Sequence, residues 1–256
     1  MIKIKTKEEI EKLKEGGKLL AQVLREASAK VAPGVSTDAI NDFVDHRMRE
    51  FGGTPAFLGY QPRGARRPFP GAVCISVNEE IVHGIPNEDP RVLKEGDIVS
   101  LDAGLTYHGL ITDSAVSVIA GVGDEKARKL LNVTREALMV GIKAAQPGKR
   151  TGDIGHAIET FVKQYEYSFP VELGGHGVGH KVHEDPNIPN YGNEGEGEEL
   201  VVGMVIALEP MLHEGKADIE VLPDDYTIVT KDGSRSAHFE HTVAITENGP
   251  EILTKE

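Results

Sequence analysis

The chain has 256 residues, 39% hydrophobic and 27% charged, the mix of a soluble globular protein with one sizeable core. Twenty-eight basic residues against 41 acidic ones give a net charge of −13, which argues against nucleic acid as a substrate. No apolar run approaches the ~18 residues of a membrane span, the first residues (MIKIKTKEEIEKLKEGG) lack the features of a signal peptide, and the lone Cys74 rules out an internal disulfide, so a cytoplasmic location is expected.

Residues 7–30 carry Ile10, Leu13, Leu20, Val23, Leu24 and Ala27 at mostly helical spacing. Pro33-Gly34 breaks the pattern, and Ser36 or Thr37 can cap a second helix through about Phe51, with Ile40, Phe43, Val44 and Met48 on one stripe. Between the helix and the strands that follow lies PRGARRP (62–68), in which Arg63, Arg66 and Arg67 form either a solvated loop or a docking patch. Residues 97–119 read as two strands around a turn at Tyr107-His108. Helices are expected again at 125–145 and from Thr151 to about Tyr165, separated by Pro147-Gly148.

The order of signals repeats. Pro33, Gly34, Thr37 and Ile40 return 114 positions later as Pro147, Gly148, Thr151 and Ile154. LKEGDIVSLDAG (93–104) returns 107 positions later as LVVGMVIALEPM (200–211), which matches Asp102 with Glu209. His83 and Pro86 return 100 positions later as His183 and Pro186. This pattern predicts a single domain over 1–256 with two pseudo-symmetric halves, about 7–120 and 124–250, sharing a central sheet.

Asp102 and Glu209 follow apolar strand residues, where a carboxylate is costly to bury unless it is paired or holds a metal. Asp113 lies as far after Tyr107-His108 as Asp102 lies before it, so the two should face each other across a hairpin. Adjacent carboxylates repel unless a cation holds them. His176, between glycines in LGGHGVGH (173–180), is a ligand or a turn residue. Glu240, in SAHFEHTVAIT (236–246), is a ligand or an exposed strand residue. One histidine with four carboxylates suits Mn, Fe, Co or Zn rather than a thiolate site. Four carboxylates exceed the need of one ion, so two ions sharing bridging carboxylates are expected.

With CISVNEEIVHGIP (74–86), SLDAG (100–104), TDSA (112–115), GGHGVGHKVHEDP (174–186), ALEPML (207–212) and SAHFEHT (236–242) in this order, the chain resembles the type I methionine aminopeptidases over nearly its whole length. The resemblance implies the α/β pita-bread fold, a mainly antiparallel central sheet with helices outside. It implies a dinuclear metalloprotease with Asp102, Asp113, His176, Glu209 and Glu240 as ligands of two divalent ions. Glu209 would also be the general base, and His83 and His183 would line the site and contact substrate. The methionine pocket is expected among Tyr60, Phe69, Cys74 and Tyr226, with Phe57 and Val182. The substrate would be the N-terminal peptide of nascent proteins with a small, uncharged second residue. A monomer is expected, with the ribosome as a candidate partner and no membrane.

The sequence departs from the family pattern at His180, where many members carry another polar residue, and in the longer stretch before Cys74. No zinc-finger extension before residue 1 is expected, and no long insertion separates His183 from Glu209. A prolidase or aminopeptidase P, which usually carries an extra N-terminal domain, is the nearest alternative. A metal-free binding module of the same fold would require lost ligands.

Overall fold

The computed structural model describes residues 2–62 and 64–256, and Arg63 of the arginine-rich loop lies outside them. In chain order the elements are helices α1 (Lys7–Ser28) and α2 (Thr37–Glu50), then strands β1 (Thr54–Pro55), β2 (Cys74–Val77), β3 (Glu80–Val82), β4 (Ile98–Tyr107) and β5 (Leu110–Ile119). The second half opens with α3 (Glu125–Ala144) and α4 (Thr151–Val162), followed by β6 (Gly174–Gly177), β7 (Glu184–Pro189), β8 (Val205–Leu208) and β9 (Met211–His213). It closes with β10 (Ile219–Val221), β11 (Ile228–Thr230), β12 (Ser236–His238), β13 (Glu240–Thr246) and β14 (Gly249–Ile252).

The helices start where local chemistry favours it. Thr6 and Glu9 form a reciprocal capping box at α1, with Glu9 N donating to the Thr6 hydroxyl at 3.2 Å and Thr6 N donating to the Glu9 carboxylate at 2.8 Å. Asp124 caps α3 by accepting from Ala127 N at 2.7 Å. Ser36 occupies the N-cap position of α2 but makes no capping bond from its side chain.

The neighbouring Thr37 has a different task, and its repeat mate shares it. Thr37 N donates to Arg91 O at 2.9 Å and its hydroxyl accepts from Arg91 N at 3.0 Å. Thr151 N donates to Glu198 O at 2.9 Å and its hydroxyl accepts from Glu198 N at 3.2 Å. Likewise Gly34 N donates to Leu93 O and Gly148 N to Leu200 O, each at 2.8 Å. The repeated Pro-Gly-x-x-Thr signal is therefore a joint that locks each helix pair to the chain entering its inner strand.

Among the described residues, the main sheet runs β1-β4-β5-β13-β8-β6-β7, with β2 on β4 and β14 on β13, all antiparallel. Strands of both halves thus share one sheet, joined at β5–β13. Pleat alternation gives it two unlike faces. Val99, Leu101, Ala103 and Leu105 of β4 pack with α1 and α2, whereas Ile206 and Leu208 of β8 and Val243 and Ile245 of β13 pack with α3 and α4. Asp102, Glu209 and Glu240 occupy the alternate positions and face away from the helices.

The β4–β5 hairpin has a register other than the one its sequence suggests. Tyr107 pairs with Leu110 around a two-residue turn in which His108 and Gly109 have φ of 50° and 77°. A turn with two positive φ values fits the right-handed twist of the flanking strands, and glycine accepts the second position without strain. Asp102 therefore faces Ala115 and Asp113 faces Gly104, so the two carboxylates are diagonal neighbours on one face rather than opposite partners. Asp102 also lies inside β4 and not at its end.

The short β5–β13 seam is closed by hydroxyls. Thr242 Oγ1 accepts from Asp113 N at 2.8 Å and donates to Asp113 O at 2.7 Å. Ser114 Oγ donates to Glu240 O, and Ser117 Oγ bridges His238 O and His238 N. These bonds hold the backbones of Asp113 and Glu240 in place.

The glycines around His176 serve strand packing. A Cβ on Gly175 would lie 2.2 Å from Ala207 O, and one on Gly177 would lie 2.2 Å from Asp185 O. Gly175→Ala should therefore lower stability by about 1–3 kcal/mol, the range for overpacking. Chemical denaturation of that variant beside the parent protein measures it, and equal midpoints would contradict the close approach.

Candidate metal centre and apolar pocket

On the sheet face away from the helices lies a cavity of about 300 Å³, lined by Asp102, Asp113, His176, Glu209 and Glu240 together with His83 and His183. The same cavity is lined by Phe57, Tyr60, Phe69, Cys74, Val182 and Tyr226. Every site residue singled out in the sequence thus reaches one space. Ligand atoms of Asp113, His176 and Glu240 lie within 4.8 Å of one another. His176 Nε2 stands 3.5 Å from Glu209 Oε1. Asp102 joins the group electrostatically, through Asp113 and Glu209.

The electrostatics are unfavourable as the residues stand. Burial and mutual repulsion push Asp102 and Glu240 well above the usual carboxylate range. Burial raises Asp113 to about 8, with Glu209 adding repulsion, and burial raises Glu209 to about 8. Among the described residues, the ion-pair partners within 4 Å of these carboxylates are His176 and His238, both on Glu209. Burial holds each of those imidazoles down to about 3, so neither supplies a positive charge at neutral pH. Asp102 Oδ1 and Asp113 Oδ1 are buried without a hydrogen-bond partner. Buried, unpaired carboxylate oxygens facing one another are what a divalent cation satisfies. The residues present therefore fit a metal centre.

The histidines are set for separate tasks. His176 Nδ1 donates to Gly177 O at 2.9 Å, which leaves the Nε2 lone pair directed at the carboxylates. His183 stacks edge to face on His176, ring centres 4.4 Å apart, and its Nδ1 shares a 2.8 Å hydrogen bond with Tyr60 OH. His83 follows β3 with a φ of 60°, an uncommon conformation for a side-chain-bearing residue, and burial lowers it to about 4. His180, the unusual residue of the glycine-rich segment, pairs with Glu9 at 2.8 Å.

His238 was not singled out in the sequence. Its Nε2 is 3.4 Å from Glu209 Oε2, and neither ring nitrogen has a hydrogen-bond partner. Through the shared register of β4–β5 and β8–β13, His238 holds the place in the second half that Asp113 holds in the first. The repeat contained this signal, since SAHFEH aligns with the end of the hairpin once its true register is known.

The apolar wall is a cluster of Phe57, Phe69, Cys74, Val182 and Tyr226, with Tyr60 partly buried against it. Cys74 sits opposite Asp102 in the β2–β4 ladder, and burial together with the Asp102 charge keeps its thiol protonated. It is a small, soft wall atom rather than a nucleophile. Arg66 and Arg67 do not form a free basic patch. Arg66 pairs with Asp225, and Arg67 pairs with Glu88 and donates to Asp224 O at 3.1 Å. Tyr226 OH donates to Arg67 O, so this loop is bound to the segment that carries a pocket wall.

The sequence profile of metallopeptidase family M24 matches residues 11–247. A methionine aminopeptidase of Aquifex aeolicus is 45% identical over 256 residues, 99% of each chain. The crystal structure of a methionine aminopeptidase from Thermotoga maritima superposes with a TM-score of 0.95 at 48% identity, covering 100% of both chains. A prolidase from Pyrococcus furiosus superposes with a TM-score of 0.77 at 25% identity, covering 99% of this chain and 65% of its own. The architecture is the pita-bread fold that these structures share. Among the described residues, no helix is long and apolar enough to cross a membrane.

The raised carboxylates predict how metal and pH act on stability. A carboxylate whose folded pKa exceeds its unfolded value near 4 binds more protons when folded, so stability falls as pH rises through that window. For Asp113 and Glu209 the window extends from about 4 to about 8. Metal-free protein should therefore melt lower at pH 8 than at pH 6, and added Mn or Co should raise Tm more at pH 8. Thermal melts of chelated protein at both pH values check this, and an equal metal effect at both would contradict it.

Proposed function

The chain belongs to metallopeptidase family M24, and on that basis we propose that it removes the N-terminal methionine from nascent proteins whose second residue is small and uncharged. The observation that carries this reading is one cavity with two unlike walls: four buried carboxylates, two of them with an oxygen that lacks a hydrogen-bond partner, and an apolar, aromatic pocket beside them. Asp102, Asp113, His176, Glu209 and Glu240 would hold two divalent ions of the Mn, Fe, Co or Zn class. When bound, such ions supply Lewis acidity and lower the pKa of water. Ions held by these residues would also offer a site for a free amino terminus, which restricts cleavage to the first residue.

The chain's own groups account for the remaining chemistry. Glu209 takes a proton from the attacking water and delivers it to the leaving amine, acting as general base and then as general acid. When Tyr60 donates to Nδ1 of His183, Nε2 carries the hydrogen and donates it to the developing oxyanion. His83, held neutral by burial, contacts the amide nitrogen of the second residue.

The methionine side chain would enter among Phe57, Tyr60, Phe69, Cys74, Val182 and Tyr226, where a protonated thiol and aromatic edges suit a thioether. Residues 64–71, tied down through Arg66 and Arg67, line the cavity and would narrow the space beside the scissile bond. That constraint favours Gly, Ala, Ser, Thr, Val, Pro or Cys as the second residue. The reading places the protein in the cytosol as a single-domain monomer acting on emerging chains.

Two measurements test it. Kinetics on Met-Ala-Ser, Leu-Ala-Ser and Met-Lys-Ser should show about a 100-fold preference for the first, since misplacing the carbonyl by ~1 Å is that costly. Comparable kcat/KM on all three would overturn the methionine reading. Glu209→Gln should fold but lose about 100-fold or more in kcat, the scale of acid–base catalysis, and a near-parental rate would move proton transfer to another group.

A further inference from the structure

We propose that Lys5 is a positioning residue for His183, acting through Glu184; the inference rests on the role given to His183 above. Residues 2–6 precede α1 and lie against the second half of the protein, with Lys5 N donating to Gly203 O at 2.8 Å. The Lys5 side chain turns inward, and its ammonium lies 2.7 Å from Glu184 Oε2, the two side chains 1% and 4% exposed. Glu184 is the residue after His183. Its other oxygen accepts from His180 N at 2.6 Å and Lys181 N at 3.0 Å. One buried carboxylate thereby closes the loop 178–184 on itself and ties it to the N-terminal segment.

The loop is shaped around the lysine. Gly179 has a φ of 141°, and a Cβ there would stand 2.6 Å from Lys5 Cε. Gly179 O accepts from Ile111 N at 2.7 Å, which anchors the other side of the loop to β5. Between these anchors sit Val182 and His183, and the Tyr60 hydroxyl holds the imidazole from the far side.

The energetics give Lys5 leverage over the site. A buried carboxylate that loses its ammonium partner is strongly destabilised, and here it can recover solvation only if the loop opens. Opening moves His183, whose contribution depends on sub-ångström placement. Among the described residues, the other ion-pair partner of Glu184 is His180, 3.7 Å from Oε1 and shared with Glu9, so Lys5 is the nearest counter-charge and the only one supplied by a lysine or arginine.

The test uses full-length protein. Lys5→Met should lower kcat on Met-Ala-Ser about 10-fold with a smaller change in KM. In a His183→Ala background the same substitution should change the rate by about 2-fold or less, because its effect runs through that imidazole. Lys5→Met/Glu184→Gln, which removes both charges and leaves the two amides an acceptor, should restore most of the rate. In metal-free Lys5→Met, hydrogen exchange of the His180 and Lys181 amides should quicken while α3 stays protected, a readout independent of activity. Should Lys5→Met fold poorly, Glu184→Gln should show the same local exchange. An undiminished loss in the His183→Ala background, or unchanged exchange over 178–184, would overturn the proposal. If the parental protein does not cleave Met-Ala-Ser, the methionine reading fails and the exchange measurement alone decides the positioning claim.

Discussion

Four buried carboxylates that line one cavity, with no lysine or arginine paired to them among the described residues, are the constraint on which this structure turns. Such a cluster is self-repelling, and a fold that carries it must hold it rigidly. The rigidity comes from the seam between the halves. Thr242, Ser114 and Ser117 place hydroxyls where the β5–β13 ladder is short of backbone pairs, and so fix the strands bearing Asp113 and Glu240. Outside the seam, each helix pair is locked to its own half by the same glycine and threonine joint.

The two halves use equivalent positions unequally. Asp102 and Glu209 correspond, and both are carboxylates in the cavity. Asp113 corresponds to His238, an imidazole beside Glu209 that burial keeps neutral. The two halves share a frame, and the unlike residues at its paired positions give the site a directional sense. The apolar wall breaks the symmetry further, because Phe57, Phe69 and Cys74 come from the first half and Tyr226 from an excursion of the second.

Loops set the walls, and buried polar contacts set the loops. Tyr226 reaches Arg67 O, Tyr60 reaches His183, and Glu184 gathers two amides and an ammonium. In each case a side chain from one loop satisfies a group on another, so the cavity walls are coupled across long separations in sequence.

Much of this was legible in the sequence, because it rests on local chemistry that repeats. Apolar periodicity marked the four helices within a few residues of their ends, and the recurrence of Pro-Gly-x-x-Thr marked two halves. Carboxylates at matched positions in apolar strands pointed to a cation, since nothing else local could compensate them. Tertiary structure decided what depends on exact register and distant contact. The hairpin turned at His108-Gly109 and not one residue earlier, which made Asp102 and Asp113 diagonal neighbours. Composition alone does not distinguish two turns one residue apart, whereas twist and positive φ do. His238 and Lys5 look like ordinary surface or strand residues in the sequence. They gain their places only when chain segments more than a hundred residues apart pack together, and the sequence does not display that packing energy locally.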